Sequence, residues 1–214
     1  MKTVLFLTML LYGNLMLSQI SLQAEIIEKG DKSDKLILEF TLKNKSNKNI
    51  VLPLDTTKLR FYDIYECNFT KFNLQTYPFL ALSLKFHENP TGSKVVTDWG
   101  MGTPDSEPWP KDRFIDKKVH EYVFDNLIFM KSGEEIKFSM KSRLNYFQYD
   151  DLFPYFEYAN LKSNTKYEVY FFYCAEMENT YSLLTKQQKK KLREYDFFTG
   201  TFESNKIKII SRIK

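Results

Sequence analysis

Trp99 and Trp109 both fall between Thr97 and Lys118, a stretch broken by two glycines and three prolines. Tryptophan carried on a loop above a rigid scaffold is a common anchor for a binding partner. The pair is therefore the candidate binding site, on a stretch expected to be one long loop. The competing expectation is that both rings fold back and plug the end of the core. A second unusual run, Asn145 to Tyr158, mixes acids with aromatics. Its Asp150, Asp151 and Glu157 are carboxylates of the kind that hydrolyse glycans or bind calcium. Calcium loops, however, carry acids at alternating positions around a glycine, and this run does neither. The plainer expectation is that its aromatics cover one end of the core while its acids face water.

Other chemistry is hard to place. His87 and His120 are the only histidines, and neither continues into a His-Glu-x-x-His zinc pair. There is no Gly-x-Ser-x-Gly elbow, phosphate-cradling glycine loop or Cys-x-x-Cys pair, and seven glycines are few for any of them. The expectation is thus of no catalytic residues, no metal and no cofactor. The lysines Lys189 to Lys191 read as a solvated face rather than a lipid or glycan contact. Cys67 and Cys174 are the only cysteines. Each lies at or near the end of an apolar run, so they are either bridged to each other or buried as free thiols.

The first residues give an address. Lys2 is followed by an apolar run from Val4 to Leu17 and a polar exit at Ser18 and Gln19. This is the three-part pattern of a secretory signal peptide, and it is too short to span a bilayer. Residues 1–18 are read as the signal, and the exported chain is expected to begin between Gln19 and Glu25. The remaining residues, 19–214, are enough for one domain. The formal charge of +4 is too mild and too scattered for a nucleic-acid partner. No integral membrane segment is expected after signal cleavage, and the location is secreted or periplasmic. The chain is 16% aromatic. With abundant Lys and Asn, that composition by itself indicates strand propensity rather than sugar binding.

The elements that must position these residues read as strands. Leu36, Leu38, Phe40 and Leu42 alternate with Ile37, Glu39, Thr41 and Lys43, a half-buried strand. The polar cluster Asn44 to Asn49 then turns into Ile50 to Pro53, which predicts a hairpin. Lys58 to Phe69 and Pro78 to His87 are further strands. His120 to Met130 and Glu134 to Leu144 flank a turn at Ser132 and Gly133, which predicts a second hairpin. Tyr167 to Cys174 is apolar on both faces, as in a central strand, and Ile207 to Ile213 alternates. Thr185 with Gln188 forms a capping box that predicts a late helix of two to three turns, lying on Leu184, Leu192 and Tyr195.

From Leu161 to Val169 the chain resembles the tyrosine corner of fibronectin type III and related immunoglobulin-like sandwiches. Leu161 precedes Tyr167 by six residues across a turn, with Thr165 and Val169 matching in kind and Ser163 standing where the turn's proline is usual. Leu36 to Asp55 is similar to the early hairpin of bacterial secreted immunoglobulin-like domains, some of which resemble proteinase inhibitors. The resemblance implies an all-β fold, an antiparallel immunoglobulin-like β-sandwich, from whose minimal form the long Trp-containing loop and the one short late helix depart. It implies that the Tyr167 hydroxyl bonds back to the turn. Neither cysteine lies two residues after Tyr167, so a bridge would not be the immunoglobulin one. The function expected is a non-enzymatic binding or structural module for an unknown protein or glycan. The alternatives are a proteinase-inhibitor-like module and a glycan-active hydrolase using the acidic residues.

Overall fold

The computed structural model describes residues 19–29, 35–62, 67, 79–89, 91–93, 95–101, 112–148, 155–175 and 177–211. The chain is mostly β, with strands β1 (Ile20–Lys29), β2 (Lys35–Asn44), β3 (Ile50–Pro53), β4 (Asp55–Phe61), β5 (Ala81–Glu88) and β6 (Thr97–Met101) in its first half. Helix α1 (Asp112–Asp125) leads into β7 (Leu127–Met130), β8 (Glu135–Arg143), β9 (Tyr146–Gln148), β10 (Tyr155–Ala159) and β11 (Lys166–Ala175). The chain closes with helices α2 (Met177–Ser182) and α3 (Lys186–Lys191) and strands β12 (Asp196–Phe197), β13 (Gly200–Glu203) and β14 (Ile207–Ile210).

Two sheets face one another across a common core. One has six strands in the order β1-β2-β8-β9-β10-β6; the other runs β13-β11-β5-β4, with β14 also on β11. The period-two patterns explain the packing. Leu38, Phe40 and Leu42 of β2 point inward, as do Val169, Phe171 and Tyr173 of β11, and both sets belong to one cluster. Phe40 meets Phe171 edge-on across the layers, with ring centroids 4.7 Å apart. The strands are not all antiparallel, for β4 with β5 and β12 with β3 are parallel pairs.

Neither expected hairpin forms. β2 pairs with β1 and β8, whereas β3 pairs with β7 and β12 in a third, three-stranded sheet. The polar cluster 44–49 and the Ser132-Gly133 turn are thus two sides of one corner, where a paired ribbon leaves the large sheet and enters the small one. Gly133 supplies the turn with its positive φ of 76°. Asn44, buried at 0% exposure, holds the corner. Its Nδ2 donates to the carbonyls of Lys48 (2.8 Å), Lys131 (2.9 Å) and Met130 (3.4 Å). Its Oδ1 accepts from the Ser46 amide and hydroxyl. The corner lets β3 serve two cores: Ile50 and Leu52 enter the main one, while Val51 enters a second with Val119, Tyr122, Val123, Leu184 and Leu192.

The stretch expected to be one loop from Thr97 to Lys118 contains β6 and the start of α1, and the strand expected from His120 is helical as far as Asp125. The helical signal is Val119, Tyr122 and Val123, one face at three- and four-residue spacing, all buried in the second core. The late helix has the capping box: Thr185 Oγ1 accepts from the Gln188 amide and Gln188 Oε1 from the Thr185 amide. It stops at six residues, shorter than expected, with Leu192 as its C-cap. Lys189 and Lys191 lie over the rings of Tyr181 and Phe124.

Cys67 and Cys174 are disulfide-bonded, with Cα atoms 5.5 Å apart and a separation of 107 positions in sequence. Tyr167 is buried and its hydroxyl accepts from the Lys162 amide at 2.8 Å, with Leu161 packed on the main core. Among the described residues no helix is long and apolar enough to cross a membrane.

Replacing Asn44 by Ala leaves the Ser46 amide and the Lys48 and Lys131 carbonyls without this partner in a mostly dry corner. The expected loss is roughly 3 kcal/mol of unfolding free energy, read from urea melts. A change below about 0.5 kcal/mol would show that the corner does not depend on it.

Candidate functional site

The outward faces of the two main sheets differ. On the five-stranded sheet Lys85 Nζ lies 3.8 Å from the Tyr62 ring centroid, 4.1 Å from that of Phe172 and 5.4 Å from that of Tyr170, and 3.3 Å from Glu203 Oε1. The lysine thus fills its own aromatic cage. Cys174 shares this side of β11 with Tyr170 and Phe172, so the disulfide ties Cys67 over the same face. That face is covered by the chain itself.

The six-stranded sheet presents something else. In β10, Phe156 and Tyr158 are half-exposed while Glu157 and Ala159 between and after them are buried; in β9, Tyr146 is half-exposed and Phe147 buried. Tyr146 and Tyr158 are register partners. Ring centroids are 5.9 Å apart from Tyr146 to Phe156 and 6.4 Å from Phe156 to Tyr158, and both pairs lie within 30° of parallel. The three rings make one cluster, Tyr146 and Tyr158 side by side across the strands and Phe156 next to both. At one end Arg143 of β8 is the partner of Tyr146 and is exposed. At the other end Asp98 of β6 is the partner of Tyr158 and accepts its hydroxyl proton at 3.2 Å. The hydrogen bond to Asp98, and then the carboxylate charge, raise the Tyr158 pKa above its usual value. Gly100 stands opposite Phe156, leaving no side chain there to crowd its ring.

Within the run from Asn145 to Tyr158, one described acid departs from the expectation that acids face water, while Asp150 and Asp151 lie outside the described residues. That acid is Glu157, whose Oε2 accepts the Phe61 amide at 2.7 Å in the interior. β4 is an edge strand of the five-stranded sheet, and Phe61 sits there opposite Leu84 on its single neighbour β5. An edge amide in the interior must find a partner, and Glu157 supplies it across the layers.

Of the residues singled out from sequence, Trp99 has its backbone in β6 as the register partner of Glu157; its ring, and the whole of Trp109, Asp150 and Asp151, lie outside the described residues. Met101, the last residue of β6, and Tyr155, the first of β10, are register partners. Glu157 is not brought into a cleft; its carboxylate is buried against backbone. His87 packs edge-on against Tyr170, and His120 Nδ1 is bonded to the Leu183 carbonyl. Among the described residues no group of three His, Cys, Asp or Glu is placed to hold a metal ion. The ring cluster escapes sequence reading because aromatic composition does not say which rings face out. The one available signal is the spelling Phe156-Glu157-Tyr158, in which a buried acid forces both neighbours outward.

A second polar cluster lies inside, between β4 and α1. Asp55, 1% exposed, accepts the Tyr122 hydroxyl at 2.9 Å and the Thr57 amide and hydroxyl, with Lys58 Nζ at 3.5 Å. Burial, then the Asp55 charge and the hydrogen bond to it, push the Tyr122 pKa well above the usual 10.0. The cluster docks α1 on the sheet. No protein-family model matches the chain, and no curated protein matches it at a significant level.

Tyr122→Phe removes the donor to Asp55 and is expected to cost about 1–3 kcal/mol at neutral pH. Above pH 10 the unfolded chain releases the Tyr122 proton while the folded chain keeps it, so the wild type loses stability as pH rises. The gap between wild type and variant should therefore narrow from pH 9 to 11 (about the tyrosine range) in urea melts. A constant gap would show that Tyr122 does not titrate in this way.

Proposed function

We propose that the chain is an extracytoplasmic, non-enzymatic binding module that takes its ligand on the outer face of β9, β10 and β6. One observation carries this reading: Tyr146, Phe156 and Tyr158 form a single cluster of near-parallel, half-buried rings on the outer side of the sheet. A folded chain gains by burying such rings fully, and a contiguous set left partly open on a rigid sheet suits a recognition surface. The module is an immunoglobulin-like sandwich on this reading. Support comes from two sheets around one core and from the Tyr167 hydroxyl on the Lys162 amide. The third sheet, the two parallel pairs and α1 are additions to that plan.

The reading places residues 1–18 as a removed signal and the mature chain in a secreted or periplasmic space, in keeping with the Cys67–Cys174 bond. Burial narrows the cleavage point. Ile20, Leu22 and Ala24 of β1 are in the main core, so a chain beginning at Gln19 keeps them and one beginning at Glu25 loses all three. Protein starting at Glu25 is expected to be less stable by roughly 3 to 6 kcal/mol than protein starting at Gln19. Equal melting curves would place β1 outside the cooperative core.

For the binding face, Tyr146→Ala, Phe156→Ala and Tyr158→Ala should each change stability by no more than about 1 kcal/mol. Phe147→Ala, on the buried side of β9, should cost on the order of 3 to 5 kcal/mol. Thermal melts of the four variants test this. Losses for the cluster as large as for Phe147 would make the rings core and defeat the reading.

A further inference from the structure

We infer that α3 and the corner beside it form a second surface, which docks the chain on an anionic lipid bilayer, with Lys186, Lys190 and Arg193 facing the headgroups and Phe129 entering the layer beneath them. Charge is the first observation. From Lys186 to Asp196 the chain carries Lys186, Lys189, Lys190, Lys191 and Arg193 against Glu194 and Asp196, and Asp196 is already held by Lys48 at 2.6 Å. Lys186 and Lys190 stand one turn apart on α3, and Arg193 follows in the turn that ends it; all three are exposed, while Leu192 is buried in the second core. Lysines elsewhere hold carboxylates, as Lys85 does Glu203, Lys137 Glu39, Lys162 Glu88 and Lys206 Glu168. Among the described residues, none of the cations from Lys186 to Arg193 has a carboxylate within ion-pair distance. A helix C-terminus favours cations in its last turn, which accounts for Lys189 to Lys191 but not for Lys186 or Arg193.

The rings beside these cations select the partner. Tyr195, two residues after Arg193, packs edge-on against Phe129 with centroids 5.0 Å apart. Phe129 is 40% exposed, whereas every other described aromatic side chain is half-buried or buried. Exposed Lys131 follows its strand, and Lys48 is tied nearby through the Asn49 side chain, which accepts the Ser132 amide. Lys189 and Lys191 extend over the rings of Tyr181 and Phe124, so their charges stand at the same aromatic rim. An anionic bilayer meets both features, with diffuse negative charge for the cations and an apolar layer just beneath it for an open ring. A charged polymer meets only the first. It is gripped best by arginine forks, and four of these five cations are lysines, point charges without such a fork. From sequence alone Lys189 to Lys191 read as a solvated face; the structure adds Arg193 and the open ring beside them. None of these residues belongs to β9, β10 or β6, so this contact is additional to the one proposed there.

The test is co-sedimentation of the exported chain with vesicles of phosphatidylcholine alone and of equal parts phosphatidylcholine and phosphatidylglycerol. The anionic vesicles should bind the wild type more than roughly tenfold tighter than the neutral ones. That binding should fall steeply between about 50 and 500 mM salt as the charges are screened. Lys186→Gln/Lys190→Gln/Arg193→Gln should weaken it by roughly 100-fold, at about fivefold for each cation removed. Phe129→Ala should weaken it severalfold and leave the salt response in place. Removing the same charge at the far end of β11, in Lys166→Gln/Lys206→Gln/Lys208→Gln, should change it by less than about twofold, because that site lies beyond the screening length. Equal binding to the two vesicles, equal loss from the two triple variants, or tighter binding to heparin than to the anionic vesicles would overturn the inference, the last by making the partner a polymer. Both triple variants should melt like the wild type. Should the α3 variant melt far below it, the comparison of the two vesicles and the loss in Phe129→Ala decide in its place.

Discussion

The hydrogen bond from the Phe61 amide to Glu157 sets the arrangement of the outer face of β9, β10 and β6. It joins the edge of one main sheet to an inner strand of the other, and it does so with a carboxylate that would be costly to bury without a donor. Because side chains alternate along a strand, turning Glu157 inward turns Phe156 and Tyr158 outward together. A slip of β10 by one residue would bury both rings, but it would expose Ala159 and carry the carboxylate away from the Phe61 amide. Burying a ring gains about 1.5–3 kcal/mol when complete, and these rings already have most of their surface covered. A slipped register would leave a buried amide and its carboxylate partner apart, a penalty of comparable size. The pairing of Phe147 with Glu157 in β9 adds its own inward ring to the observed register.

The corner at Asn44 solves a different problem, that of one chain feeding two cores. A ribbon that continued straight from β2 into β3 would put Ile50, Val51 and Leu52 in a single sheet with one buried face. All four residues of β3 are buried, so it needs cover on both sides. Leaving the large sheet at Asn44 gives Ile50 and Leu52 to the space between the main sheets and Val51 to the space under α1 and α3. The bend breaks the backbone ladder, and a single buried amide side chain collects the freed carbonyls. Asn is suited to this because its two donors and one acceptor serve both strands of the ribbon at once.

Much of the strand content is legible in the sequence because period two is a strong signal where one face is buried. Leu36 to Leu42, Glu134 to Leu144 and Tyr167 to Cys174 fall within or almost wholly within β2, β8 and β11. Thr185 and Gln188 mark the start of α3 because a capping box is a local interaction between neighbours in sequence. Pairing is not legible. Asn44 to Asn49 and Ser132-Gly133 have the composition of hairpin turns but bend the chain from one sheet into another, and which strand each flank pairs with is decided by cover from distant residues such as Val119 and Leu192. Helix α1 is hidden because His120 to Met130 also contains an alternating apolar pattern, and the deciding contact of Tyr122 with Asp55 spans 67 residues. The ring cluster is hidden for the same kind of reason. Its orientation depends on Phe61, which lies 96 residues from Glu157.

Partly open rings have a cost that the rest of the molecule must offset. Three aromatics left partly in water forgo at most about 3 kcal/mol relative to full burial. That is a sizeable share of the 5–15 kcal/mol (about the usual net stability of a domain). The Cys67–Cys174 bond closes a span of 107 residues, for which the chain-entropy model gives up to about 5 kcal/mol. A cross-link of that size is enough to sustain the partly open rings without a larger core. The two features also sit on opposite outer faces, the bond over Cys174 on the five-stranded sheet and the rings on the six-stranded one. The face that the chain covers with its own lysine cage and disulfide is thus the one on which the cross-link acts, while the other carries the partly open rings.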